Sequence, residues 1–68
     1  MAIVKVIELI AESDKSWEDA AQQAILEASK SVRNIKSVYV KEFQALVGNN
    51  MVTTYRVNAK ISFVYEGK

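Results

Sequence analysis

The segment Ile3 to Ile10 reads as a β-strand that is apolar on both sides, and no other feature limits the fold as much. Val and Ile dominate it, and only Lys5 and Glu8 interrupt. Alternation puts Ile3, Lys5, Ile7 and Leu9 on one face and Val4, Val6, Glu8 and Ile10 on the other. A strand apolar on both faces needs cover on both. A single helix covers one face, so another subunit is expected on the other.

Size points the same way. The chain has 68 residues and is read as one domain over 1–68. A domain this short buries too little surface to be comfortably stable alone, and small chains add disulfides, a structural metal or partner subunits. There is no Cys and no His. That excludes disulfides, thiolate and imidazole metal sites, and Cys–His or Ser–His–Asp nucleophiles. Self-association is the remaining route, although carboxylates and carbonyls suffice for a cation such as Ca²⁺.

Nine basic and eight acidic residues leave a formal charge of +1. No basic excess points to nucleic acid. No apolar run approaches the ~20 residues of a membrane helix. The start Met1-Ala2-Ile3-Val4-Lys5 has no basic segment followed by an apolar stretch, so no secretory signal is expected. The cytoplasm is the default compartment.

Glu12-Ser13-Asp14-Lys15 reads as a connection and Ser16 as the N-cap of a helix, with Glu18 and Asp19 at the positive end of its dipole. Trp17, Ala20, Ala21, Ala24, Ile25, Ala28 and Val32 form one apolar stripe. The stripe is mostly Ala, so the helix can lie close to what it covers. Trp17 reads as a packing anchor at its start. Leu26 falls on the polar side, exposed or in a subunit contact. Lys30 and Arg33 suit the negative end of the helix.

Two long strands follow, Ile35 to Val47 and Met51 to Tyr65, joined by Gly48-Asn49-Asn50, residues that tolerate positive φ. The second strand alternates cleanly. Tyr55, Val57, Ala59, Ile61 and Phe63 face one way, while Thr54, Arg56, Asn58, Lys60 and Ser62 face the other. Its ~15 residues far exceed the usual ~5–6, so the hairpin must run past its own helix and meet another subunit. The fold class is α+β. It is a β-α-β-β chain whose last strand lies between the other two, in an antiparallel sheet with the helix on one face. The opposite face is expected to carry Ser37, Tyr39, Lys41 and Phe43 beside Thr54, Arg56, Asn58 and Lys60. Polar and aromatic together, it is the best candidate for a binding surface.

This pattern resembles the dodecins over nearly the whole chain. The resemblance is carried by Val4-Lys5-Val6-Ile7-Glu8-Leu9-Ile10, Ser16-Trp17-Glu18-Asp19-Ala20-Ala21, Ala24, Ala28, Ser31-Val32-Arg33-Asn34-Ile35, and Tyr55-Arg56-Val57 running to Ile61-Ser62-Phe63. It implies a three-stranded sheet partly wrapped around one helix and a hollow homododecamer that binds and stores a small molecule or ion without being an enzyme. In the flavin-binding members, a tryptophan on the second strand stacks on the flavin and a glutamine on the third hydrogen-bonds its ring. Those positions fall on Ser37 and Arg56 here. Ser has no π-face, and Arg has donors only. The resemblance therefore implies a riboflavin or FMN role that is weakened or lost. A calcium-binding type also exists among dodecins, but its ligands are not assigned to residues of this chain.

The candidate ligand-binding residues are Ser37, Arg56, Tyr39, Lys36 and Thr54. Arg56 can grip an anion or an aromatic edge, or pair with Glu42 or a neighbouring subunit's acid. Tyr39 and Phe43 can stack on a ligand or be buried against another subunit. Glu8, Glu12, Asp14, Glu18, Asp19, Glu42 and Glu66 can supply oxygen ligands if symmetry brings copies together. No EF-hand or Gly-rich phosphate loop is present.

Overall fold

A computed structural model describes residues 3–65; Glu66 and Gly67 lie outside the described residues. The elements are β1 (Ile3–Ser13), α1 (Trp17–Ala28), β2 (Ile35–Gly48) and β3 (Met51–Tyr65). The three strands form one antiparallel sheet in the order β1-β3-β2, so the last strand is central as the pattern requires.

The β1–α1 junction is fixed by hydroxyl groups. Ser16 is extended (φ −168°) and its Oγ accepts from the Asp19 amide at 2.9 Å, which satisfies a free donor of the first turn. Ser13, expected in the connection, instead ends β1 and is buried. Its hydroxyl donates to Asp19 Oδ2 at 2.6 Å and accepts from the amides of Lys15 (2.9 Å) and Ser16 (3.4 Å). The turn is thereby tied to the helix from outside.

The helix lies on the sheet through its alanines. Ala20, Ala24 and Ala28 are buried against Val57, Ala59 and Ile61 of β3, the last three having no exposed surface. Small side chains let the backbones approach, and Ile7, Leu9, Val38 and Val40 close the sides. The helix ends at Ala28. Lys30 and Arg33 therefore lie past its last turn, and Val32 packs from the following connection. Asn34 adopts a left-handed φ of 62°, which Asn tolerates, and its carbonyl accepts from the Val64 amide at 3.1 Å.

The hairpin loop is Asn49-Asn50, with φ of 53° and 64°. Positive φ at both central residues is the geometry whose twist matches antiparallel strands. Gly48, expected to share that role, is the last residue of β2 and has no positive φ. Since β1 stops opposite Tyr55, the hairpin beyond that point has no third strand. Val47, Met51 and Val52 are exposed there.

One expectation about the faces fails. β2 shifts register between Ile35 and Ser37, between Val40 and Glu42, and between Leu46 and Val47. An extra residue reverses the side on which later residues project. Phe43 therefore pairs with Val57 on the helix side and meets Trp17 edge-on, with ring centroids 5.8 Å apart. Lys41 occupies the bulge. Trp17 also packs edge-on against Tyr55 at 5.0 Å and donates from Nε1 to the Gln44 carbonyl at 2.9 Å.

Candidate ligand-binding face

The sheet face turned away from α1 is built by strand alternation from three rows. β1 supplies Val4, Val6, Glu8, Ile10 and Glu12, and β3 supplies Val64, Ser62, Lys60, Asn58, Arg56 and Thr54. β2 supplies Ser37, Tyr39, Glu42, Gln44 and Leu46, its bulges having moved Glu42 and Gln44 to this side. Val4, Val6, Ile10 and Tyr39 are all more than half exposed. These are large apolar surfaces with none of the described residues above them.

At one end, the Ser37 hydroxyl is hydrogen-bonded to the Ser62 hydroxyl across the strands. Lys36 occupies the bulge beside it and Tyr39 lies opposite Lys60. At the other end, Arg56 stands between Glu12 and Gln44. Its Nε donates to Glu12 Oε2 at 2.7 Å and a terminal nitrogen approaches the same oxygen at 2.5 Å. The expected pairing with Glu42 is replaced by Glu12, because β1 runs on to Ser13 and brings Glu12 into register. Thr54 lies opposite Leu46, just past the end of β1.

The candidates thus form two groups within one protomer. Ser37 pairs with Ser62, six residues from Arg56 along β3, which is roughly 20 Å at ~3.3 Å per residue. Lys36, Ser37 and Tyr39 come together, and so do Thr54 and Arg56, but one small ligand does not span from Ser37 to Arg56 on a single chain. Between them lies Asn58, flanked by Ile10 and Glu42. Its Oδ1 is buried with no hydrogen-bond partner among the described residues. Such an acceptor costs ~1–3 kcal/mol unless a donor reaches it. Strand alternation alone puts Asn58 on this face, but no sequence pattern signals an unsatisfied atom. Among the described residues no three acidic side chains converge to hold a metal ion. No helix among the described residues is long and apolar enough to cross a membrane.

Comparison with known proteins agrees with this geometry. The chain is 38% identical over 63 residues to the calcium dodecin of Mycobacterium tuberculosis, covering 93% of this chain and 89% of that one. The crystal structure of that protein, described as calcium-chelating with a novel calcium-binding site, superposes with a TM-score of 0.81 at 36% identity over 94% of this chain and 91% of that one. The tt0972 protein of Thermus thermophilus superposes with a TM-score of 0.93 at 29% identity over the full length of both chains. The Dodecin family model matches residues 3–66, and with nearly its whole length accounted for the chain belongs to the dodecin family.

Proposed function

We propose that this chain is a non-enzymatic building block, one domain over residues 1–68, of a hollow homododecamer that binds and stores a small molecule or ion. The observation that carries this reading is the outer sheet face. It exposes Val4, Val6, Ile10 and Tyr39. Exposed apolar side chains gathered on one face are a surface that association covers. A closed, symmetric assembly supplies the cover and brings the Ser37 end of one copy near the Arg56 end of another. The proposed partners are copies of itself and a small ligand in the cytoplasm, not nucleic acid or membrane. Light scattering coupled to size exclusion tests the assembly, and a stable monomer at micromolar concentration would overturn it.

The ligand site is proposed on Ser37, Arg56, Tyr39, Lys36 and Thr54. Flavin binding in the manner of the family is weakened here. Ser37 offers no ring and is engaged with Ser62, and the Arg56 guanidinium is held by Glu12. Quenching of riboflavin or FMN fluorescence on titration reads this directly, with no quenching expected at tens of micromolar. A Ser37→Trp, Arg56→Gln variant is expected to gain binding.

A second reading is a flavin-independent assembly that binds Ca²⁺, favoured by the 38% identity to a calcium dodecin. Its oxygen ligands would come from acidic residues of several copies. A ligand that binds only the folded state raises the melting temperature. Melting that is unchanged by EDTA and by added Ca²⁺ removes this reading.

A further inference from the structure

A cleft lies at the opposite end of the protomer from Arg56, on the helix side of the sheet. Residues 31–34 form one wall and residues 63–65 the other, around ≈ 410 Å³. That is the size of a small-molecule site. The left-handed Asn34 makes it by turning the chain sharply out of the helix connection, and its hydrogen bond to Val64 holds the two walls together. The last helix carbonyl does not oppose an anion there, since Ala28 O already accepts from the amides of Ser31 and Val32, both at 2.9 Å.

Several cations gather at this end among the described residues. Arg33 stands on the cleft wall. Lys5 Nζ lies 4.4 Å from the centroid of the Tyr65 ring. Lys36 occupies the bulge next to Ile35, which pairs with Phe63 of the cleft. Among the described residues, ion pairs join Lys30 to Glu27 and Arg56 to Glu12, and neither involves these three cations. Positive charge therefore stands beside the rings of Phe63 and Tyr65.

We propose that this cleft binds a small aromatic anion, a phosphate ester or carboxylate carrying a planar apolar body. The Arg33 guanidinium takes the anionic group through its planar fork. Lys5 and Lys36 add long-range attraction, and Phe63 with Tyr65 packs the flat body. The site belongs to each copy and lies on the face opposite the Ser37–Arg56 surface; Lys36 is shared with the ligand site proposed there, so Arg33→Gln is the variant that reports on this cleft alone.

Calorimetric titration of the intact purified protein at low salt, with phenyl phosphate, inorganic phosphate and phenol, tests the site. Phenyl phosphate is expected to bind tighter than either fragment and to weaken as salt rises. Arg33→Gln is expected to weaken it at least tenfold, and the Lys5→Gln, Lys36→Gln double variant several-fold. Lys30→Gln, outside the cleft, leaves it unchanged. Phenyl phosphate binding no tighter than inorganic phosphate, or equally to Arg33→Gln and wild type, overturns the proposal. Light scattering on the same samples separates the other occupant: if Arg33→Gln alters the assembly size, the cleft seats carboxylates of a neighbouring copy and the small-anion reading falls. A wild-type protein that is monomeric yet binds phenyl phosphate keeps this site while the shell is lost.

Discussion

Ile61 and Ile10 are the same residue on neighbouring strands of one sheet, and their surroundings are opposite. Ile61 has no exposed surface, whereas Ile10 is 66% exposed. The helix side is sealed by Ala20, Ala24 and Ala28, small enough to bring α1 down onto β3. The outer side carries Val4, Val6, Ile10 and Val64 among polar residues, and none of the described residues forms a layer over it. One face thus holds the protomer together, and the other carries apolar surface whose burial needs another molecule. The short chain has used its helix once, and its remaining hydrophobic free energy is available only to association.

The sharpest test of this contrast is Ile61→Ala. It leaves a cavity between the helix and the central strand, and large-to-small changes at such sites cost ~2–5 kcal/mol. In a chain of this size that is a large share of the total stability. Urea unfolding followed by circular dichroism is expected to show the midpoint falling steeply or the protein failing to fold. A loss below ~1 kcal/mol would mean that the helix side is not the core.

The outer face is broken differently. A Val6→Asp, Ile10→Asp variant places charges where the protomer alone is solvated, so the far-ultraviolet spectrum of the folded chain is expected to survive. Assembly is not, because each apolar side chain buried in an interface contributes ~1.5–3 kcal/mol and an unpaired carboxylate there costs more. Light scattering should show a much smaller species. An unchanged size would show that these side chains meet solvent in the assembly, and the comparison between the faces would lose its meaning.

What the sequence made legible follows the same division. β3 was readable because period two runs unbroken from Thr54 to Phe63, and its central, half-buried place follows. β1 was readable as two-sided because Val and Ile occupy both parities. β2 was not, because a bulge has no fixed residue signature: Lys41 looks like any outward lysine, yet the insertion sends Phe43 to Trp17. The positive-φ loop was placed correctly, but its two left-handed residues are Asn49 and Asn50, leaving Gly48 in the strand. For the candidate site, membership of a face was legible and distance was not. Ser37 and Arg56 both point outward, and only the register puts them at opposite ends. Glu12 was hidden as a partner of Arg56 because β1 was read three residues too short.

Ser13 links the sheet to the helix, since it closes β1 and holds the start of α1. Ser13→Ala removes a donor to Asp19 and an acceptor for the Lys15 and Ser16 amides. Cap and buried hydrogen-bond losses of this kind cost ~1 kcal/mol. A shift of a few degrees in melting temperature with unchanged assembly size is expected. No shift would mean that water replaces the hydroxyl.

The smallest effect belongs to Arg56 and Glu12. Their contact is short, but both side chains are more than a third exposed, and exposed pairs contribute only ~0.2–1 kcal/mol. Arg56→Gln and Glu12→Gln, singly and together, form a double-mutant cycle whose coupling measures the pair alone. In an isolated protomer that coupling should lie at the low end and shrink with added salt. If the outer face is covered by another copy, the pair loses its water, the coupling rises, and salt no longer screens it. Measured on the assembled protein, the salt dependence of this one weak interaction therefore reports whether the open face of the sheet is open in solution: a large coupling insensitive to salt places the pair under a neighbouring copy, and a small screened one leaves Arg56 facing solvent and free to turn toward a ligand.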